Sequence, residues 1–406
     1  MSRSRQAATV VTGGAHGRPG WRAGRKRPLR SLRLVGVLLA ASLGGLLLWA
    51  GTSALSSTGP SLRDRSAATS FHNPPRTLRI VGISPSNGAT GVSDTGRVAV
   101  TFSAPISASS PMPRFNPALV GSWRVVGRKA TFIATAPLIP LSELTLTIPG
   151  GIGGVKSTDG AVLGRTVAEN FTIRGGSTLR LQQLLSILGY SPLSWSPTGA
   201  PIAPGDTNAQ IAAMYAPPEG NFTWQSHAWP ASLQSLWQEG SYNVFTRGMV
   251  MAFQAAHALL LTGRPTAGLW NDLLGAIHTD AVNPNGYTYA VGSKSSPEQL
   301  TVWHNGAIVL QSLANTGIPQ TPTPTGTFTV YARYRRQIMH GKNPDGVAYA
   351  DPVQYVAYFH DGDAVHYFPR ASYGFPQSLG CIELPLTSAA VAWPYLTYGT
   401  LVTVVN

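Results

Sequence analysis

The sequence predicts a multidomain chain: an N-terminal transmembrane helix, a β-sandwich, a small α-helical domain and a mainly-β C-terminal domain. Three observations predict it. One long apolar run follows a basic tail. Short alternating runs, punctuated by Gly, Pro and Asn, recur in two blocks, and between the blocks the apolar spacing turns helical. A chain of 406 residues has room for roughly two to four domains. Only 11% of the residues are charged, but a mean hydropathy of +0.03 and a single long apolar run argue against a multispanning protein. The single Cys excludes an internal disulfide framework and Cys-rich metal sites, so this thiol is either inert packing or a reactive group.

The net charge of +14 is mostly a tail. Nine positive charges lie within residues 1–33 and the first acid is Asp64, leaving +5 for the remainder. Residues 1–33 are read as a basic cytoplasmic tail and 34–55 as a transmembrane signal anchor. The uncharged run Leu34 to Ala50 is extendable to about the 20 residues that a spanning helix needs. Positive charges before it place the N-terminus in the cytoplasm and the body outside the cell membrane, crossed once. The alternative is secretion after cleavage near Thr52-Ser53-Ala54. Either way the basic block serves topology, and no nucleic-acid partner is expected. Residues 56–76, rich in Ser, Thr, Gly and Pro, read as a linker.

Residues 77–175 carry alternating runs such as RVAVTFSA and LTLTIPG between turn clusters at Ser84-Pro85-Ser86-Asn87-Gly88 and Thr158-Asp159-Gly160, the spacing of a sandwich. The segment from Ser84 to Val92, followed by Val98 to Ser103, resembles bacterial Ig-like domains, which implies a spacer or scaffold. In residues 176–282 the period is helical, with Leu181, Leu184, Leu185 and Leu188 near one face, a second helical stretch over Val244 to Leu261 and a short one over Leu269 to Ile277. Leu181-Gln182-Gln183-Leu184-Leu185 near Leu188-Gly189-Tyr190, with Ala252-Phe253-Gln254 further on, resembles the small three-helix peptidoglycan-binding domain. An insertion over 191–237, rich in Pro, Trp and Ser, interrupts it. Such a loop is a contact surface or a wrap over its neighbour, and its aromatics either stack on sugars or pack on their own domain.

Residues 298–406 read as mainly antiparallel sheet, with hairpins at His304-Asn305-Gly306 and His360-Asp361-Gly362-Asp363 and a closing strand LVTVV. The lone Cys381 lies here, fifteen residues after His366. A thiol is a strong nucleophile once a base or cation stabilises its thiolate, and fifteen residues allow a strand end and a returning loop to bring the two together. Ser378, Leu379 and Gly380 precede the thiol, so backbone N–H groups there can face a developing oxyanion. The rival is zinc held by His340, His360, Asp361, Asp363 and His366. No HExxH-like pair exists, however, and the 360–363 segment reads more simply as a turn.

Asn315-Thr316-Gly317, then Thr323-Pro324-Thr325-Gly326-Thr327-Phe328, Val365-His366, and Tyr373-Gly374-Phe375-Pro376-Gln377-Ser378-Leu379-Gly380-Cys381-Ile382 together resemble the L,D-transpeptidase catalytic domain, also called YkuD. The resemblance implies a cysteine-dependent acyltransferase that cross-links peptidoglycan. Cys381 would attack a tetrapeptide stem, release D-Ala and form a thioester, with His366 as its base. Ser378, Leu379 and Gly380 would form the oxyanion loop, and Tyr355, Tyr367 and Arg370 would contact substrate. It implies no metal and no cofactor, peptidoglycan stem peptides as partners, and carbapenem-type β-lactams as covalent inhibitors. The alternatives are an L,D-carboxypeptidase, or a catalytically weak wall-binding protein. Three positions depart from the family: Leu379 replaces a usual His, Tyr367 a usual Gly or Ser, and Glu383 a usual Arg or Asn. Glu383 would oppose a thiolate unless it faces away or pairs with Arg370. With Tyr367 after the base, the group that orients His366 would be a backbone carbonyl.

Overall fold

The computed structural model describes residues 77–406; the predicted tail, anchor and linker lie outside the described residues. Among the described residues no helix is long and apolar enough to cross a membrane.

The first domain is a sandwich of short strands: β1 (Thr77–Leu78), β2 (Ile80–Ser84), β3 (Ala89–Val92), β4 (Val98–Phe102), β5 (Arg114–Asn116), β6 (Gly121–Val126), β7 (Lys129–Ala134), β8 (Glu143–Ile148), β9 (Val162–Leu163) and β10 (Val167–Ile173). One sheet runs β2-β4-β7-β6 and the other β3-β10-β8-β5, with β1 paired to β9 at the side. Period-two alternation sends Val98, Val100 and Phe102 of β4 against Leu144, Leu146 and Ile148 of β8, all buried. The alternating runs RVAVTFSA and LTLTIPG become β4 and β8. β3 follows the turn cluster at Ser84–Gly88 and is not among the alternating runs, because Ala-Thr-Gly-Val has no apolar alternation and β10 supplies its pairing.

The second domain comprises α1 (Thr178–Ile187), β11 (Leu193–Pro197), α2 (Thr207–Ala213), β12 (Gly220–Trp224), α3 (Ala231–Gln234), α4 (Val244–Ala256) and α5 (Ala267–Thr279). Ser177, Asn243 and Thr266 cap α1, α4 and α5 by accepting backbone N–H bonds in the first turn. The predicted insertion at 191–237 is not a bare loop. β11 and β12 form an antiparallel ribbon, with α2 between them and α3 after. Its aromatics pack inward: Trp237 lies edge-on to Phe222 and Phe245 at 4.8 and 5.4 Å, and Trp229 is buried. This cover explains why α1 is buried on its polar side too. The Gln182 amide donates to the carbonyls of Gln238 and Ser241 and lies 2.9 Å from Thr246 Oγ1, tying the end of the insertion to α4.

The third domain holds β13 (Thr288–Ser293), β14 (Gln299–His304), β15 (Ala307–Leu313), β16 (Gly326–Thr329), β17 (Ala332–Lys342), β18 (Ala348–His360), β19 (Asp363–Tyr367), β20 (Ile382–Leu384), α6 (Leu386–Ala392) and β21 (Leu401–Val405). Both predicted hairpin turns form, between β14 and β15 and between β18 and β19. The sheets, ordered β15-β14-β13-β21-β16 and β17-β18-β19-β20, are mixed, since β13 runs parallel to β21 and β19 parallel to β20. They face each other across a core that includes Ala290, Val302, Val365, Ile382 and Val402. The domain therefore starts before residue 298: β13 is its central strand. The sequence reading stopped short because Tyr-Ala-Val-Gly mixes large and small residues that face two different cores. Tyr289 joins the helical domain's core and Ala290 the sheet-to-sheet core.

The helical domain rests on the outer face of the five-stranded sheet. Tyr287, Tyr289 and Leu401 belong to the helical core, and Tyr289 Oη lies 2.7 Å from Thr403 Oγ1 and 3.0 Å from Ser232 Oγ. Backbones touch where Gly248 meets Gly399; a Cβ on Gly399 would fall 2.2 Å from the Gly248 carbonyl oxygen. The sandwich docks through Tyr215, whose hydroxyl donates to the Leu138 carbonyl at 2.6 Å while Arg174 stacks 4.4 Å above its ring.

Candidate active site

The parallel pairing of β19 and β20 brings the two predicted catalytic side chains together. Val365 pairs with Ile382 and His366 with Glu383. One step back along the ladder, Cys381 comes level with Ala364. Alternation puts Val365 and Ile382 in the core and leaves His366, Cys381 and Glu383 on the opposite face. His366 and Cys381 are thus diagonal neighbours on one face, within reach of a long side chain. Both line a pocket of about 320 Å³ walled by β17, β18 and the loop before Cys381.

The imidazole is held in one orientation. His366 Nδ1 lies 3.0 Å from the Tyr367 carbonyl oxygen, to which it donates, so Nε2 is the acceptor on the pocket side. The orienting group is a backbone carbonyl, as the sequence implied. Tyr367 itself does not reach the pocket, a correction to the predicted substrate contact. It is one residue out of phase with His366 and packs on the core between the sheets.

Tyr355 is corrected for a related reason. A register shift between Gln354 and Ala357 accompanies a left-handed backbone at Tyr355, φ 58°. The bulge turns the ring toward Trp393, 6.2 Å away, with Arg335 above it, and not into the pocket. Tyr349, Asp351 and Val353 of β18 form that wall instead. Regular alternation along β18 would point to them; the bulge that removes Tyr355 leaves no mark in the sequence.

The Glu383 question is settled by Arg370. The guanidinium meets the carboxylate with two bonds, Nε to Oε2 and Nη2 to Oε1, both 2.8 Å, and Nη2 also donates to the Gln377 carbonyl at 3.1 Å. Asn315 adds its backbone pairing to Glu383 and lends its side-chain oxygen to the Gly374 N–H. Arg370 lines the pocket, as predicted, but with its charge taken up by Glu383.

The loop before the thiol is laced to the Asn315–Phe328 motif. Thr323 Oγ1 accepts from the Gly317 N–H and donates to the Gly380 carbonyl, each at 2.8 Å. Ser378 Oγ donates to the Cys381 carbonyl at 2.6 Å and accepts from the Gly380 N–H at 3.2 Å. The Gly380 amide, predicted as an oxyanion donor, is therefore occupied by Ser378. The amides of Leu379 and Cys381 are not taken up by Ser378. Gly380 has φ 122°, and a Cβ there would lie 2.2 Å from Asp363 Oδ1. Gly380→Ala is accordingly expected to cost about 1–3 kcal/mol in backbone strain and displacement of Asp363. A urea midpoint equal to the parent's would refute this.

The resting electrostatics favour neutral partners. Burial pushes the Cys381 thiol up to about 12, with Asp363 and Glu383 adding to the shift and a backbone hydrogen bond from Ala364 opposing it. Burial also holds the His366 imidazole below its ordinary value, against the hydrogen bond at Tyr367 and the Glu383 charge. A raised thiol and a lowered imidazole mean Cys–SH beside neutral His near pH 7, not a thiolate–imidazolium pair. Alkylation of Cys381 by iodoacetamide should then climb about tenfold per pH unit from 7 to 10. A plateau reached by pH 7 would contradict it. Among the described residues no three His, Cys, Asp or Glu side chains gather as a metal site; His360 pairs with Asp363 at 3.3 Å across the hairpin turn.

Residues 287–404 match the family model of the L,D-transpeptidase catalytic domain, YkuD, and residues 74–173 that of a bacterial Ig-like domain. The C-terminal region is an L,D-transpeptidase catalytic domain. It is preceded here by the Ig-like domain and, between the two matched regions, by a helical domain that neither family model covers. Among solved structures, L,D-transpeptidase 3 from Mycobacterium tuberculosis is 16% identical, with 80% of this chain and 98% of that one covered and a TM-score of 0.27. An L,D-transpeptidase from Mycobacterium smegmatis is 15% identical over 81% and 99%, with a TM-score of 0.27. The catalytic domain of the E. faecium L,D-transpeptidase is 27% identical over 29% of this chain and 96% of that one, also with a TM-score of 0.27. With scores this low, the assignment rests on the family model and the site. No curated protein matches the chain significantly.

Proposed function

We propose that the L,D-transpeptidase domain works through Cys381 as acylated nucleophile and His366 as general base. The supporting observation is the shared face of β19 and β20, on which the thiol lies diagonal to an imidazole whose Nδ1 is committed to the Tyr367 carbonyl. Sγ attacks the carbonyl that precedes the terminal D-Ala of a tetrapeptide stem, and its proton passes to His366 Nε2. The N–H groups of Leu379 and Cys381 are the donors placed to meet the oxyanion. Collapse expels D-Ala, whose amine takes the proton from His366, and leaves a thioester. An amine from a second stem then attacks, its proton goes to His366, and the thiol is restored with a cross-link formed. No redox change and no cofactor enter these steps. Water in place of the amine gives tripeptide, the carboxypeptidase outcome. The same nucleophile would open carbapenem-type β-lactams.

The nine basic residues before the apolar run at 34–55 support a body held on the wall side of a bacterial membrane with a cytoplasmic N-terminus.

Incubating the full chain with disaccharide-tetrapeptide and following products by mass spectrometry tests the reaction. A dimer lacking one D-Ala is expected. Tripeptide alone would shift the reading to the carboxypeptidase, and neither product would leave a wall-binding protein.

A further inference from the structure

A second pocket, away from Cys381, lies in the helical domain. It is a pocket of about 580 Å³ between α1, the β11–β12 ribbon with α2, and the end of α5. That volume is within the roughly 300–1,000 Å³ of small-molecule sites. Its walls are mostly apolar, with Trp195, Ile202, Ile277 and a run of prolines; Gln210 and Arg180 are the buried polar groups set into them, and His278 and Asp280 are exposed at its edge.

Arg180 is the unusual member. It is only 2% exposed, yet its side-chain hydrogen bonds go to neutral groups: Nη1 to Gln183 Oε1 at 3.1 Å and Nη2 to Gln210 Oε1 at 2.7 Å. Its Nε–H has no partner, and neither does the buried indole N–H of Trp195 on the same pocket. Among the described residues no carboxylate comes within ion-pair distance of Arg180. Asp280, on the rim, does not offset it, and burial alone lowers the guanidinium to about 10. An uncompensated buried cation and two orphaned donors are costly. A bound anion at Arg180 offsets the charge and can accept from the orphaned Nε–H.

We propose that this pocket is a second, non-catalytic site for a carboxylate-bearing ligand with a compact apolar or ring-shaped body, the carboxylate meeting Arg180 and the body lying along Trp195 and the prolines. A carboxylate matches the planar donor fork of a guanidinium. Ring and aliphatic surfaces match tryptophan and proline faces. The ligand's carboxylate can belong to a sugar acid or to a peptide terminus. The choice of probes rests on the cell-wall reading above; the pocket's chemistry does not.

The test is calorimetric titration of the full chain, carrying Cys381→Ser to prevent turnover. The probes are N-acetylmuramic acid and N-acetyl-D-Ala-D-Ala, each beside its carboxamide. One acid is expected to bind saturably below about 10 mM, and its amide at least about tenfold more weakly. The arm that binds identifies the source of the carboxylate. Arg180→Met and Ala200→Trp should each weaken that binding by about tenfold or more. Ala200 is an exposed lining residue, so its variant fills the mouth without disturbing the core and carries the test if Arg180→Met fails to fold. Three results would overturn the proposal: no saturation by either acid, equal binding of acid and amide, or binding unchanged by Ala200→Trp. The last would place the ligand in the catalytic groove, leaving the transpeptidase reading intact.

Discussion

Replacing Cys381 by Ala is expected to lower product formation by about 10,000-fold or more, because the chain has no second thiol to carry the acyl group. Intact-mass analysis with disaccharide-tetrapeptide should show the parent enzyme gaining a disaccharide-tripeptide adduct and the variant gaining none. His366→Gln is expected to lower turnover by about 100- to 10,000-fold. The two losses should not add, since base and nucleophile act as one unit. Neutral partners at rest give this experiment a second readout. With its imidazole held low by burial, His366 takes up its proton at a lower pH than an ordinary histidine, so the acid limb of the parent's turnover should lie below the ordinary histidine value. A thiolate–imidazolium enzyme would lose activity on the acid side as its thiolate protonates, and its Cys381 would already alkylate at full rate near neutrality. Product from Cys381→Ala at anything near the parent rate would remove the thioester mechanism altogether.

Arg370→Met is expected to destabilise the protein by about 2–3 kcal/mol, less than for a fully buried pair because the Arg370 side chain is 29% exposed while Glu383 is 5% exposed. The loss is mostly the cost of leaving the Glu383 carboxylate without its bidentate partner, with only the 3.4 Å contact to Asn315 Nδ2 remaining. The carboxylate sits two residues from the thiol on the same face, so an unpaired charge there should push the thiol higher still and slow acylation roughly tenfold or more. Arg370→Met with Glu383→Leu removes both charges and should recover most of the stability. Urea melts of the parent, the single and the double variant measure this. A single variant as stable as the parent would show that the pair contributes nothing. A double variant as unstable as the single one would mean that Arg370 acts through the Gln377 carbonyl and the Phe368 ring 4.7 Å from its guanidinium, and not through Glu383.

Much of this site could be read from the order of residue types. Cys381 and His366 stand out because nucleophile and base must be specific residues, and the turns at Asn305-Gly306 and Asp361-Gly362 because few residues suit them. The resemblance also identified Glu383 as the position needing an explanation and Arg370 as one candidate. Side-chain direction was less accessible. Tyr367 fails as a substrate contact by strand phase alone, and Tyr355 by a bulge formed through pairing with β19, which sequence spacing does not encode. The 191–237 ribbon escaped for another reason. Its strands Leu-Ser-Trp-Ser-Pro and Gly-Asn-Phe-Thr-Trp are separated by α2, so their pairing is non-local, and their proline and glycine content reads as loop. In β13 the same side-chain alternation serves two cores at once, which blurs a domain boundary that a single hydrophobic face would have made plain.

That blurred boundary bears on how the molecule can be cut. Tyr289 and Leu401 in the catalytic sheet, and Tyr287 just ahead of it, are dry only because the helices cover them. A fragment begun at residue 287, where the family model starts, would present that aromatic face to water and to other copies of itself. The shortest fragment with a sealed sheet begins near residue 176, ahead of α1. The same contact removes any hinge between helices and catalytic sheet. Swivelling there would have to part the Gly248–Gly399 backbone contact and open a shared interior, so these two parts move as one body.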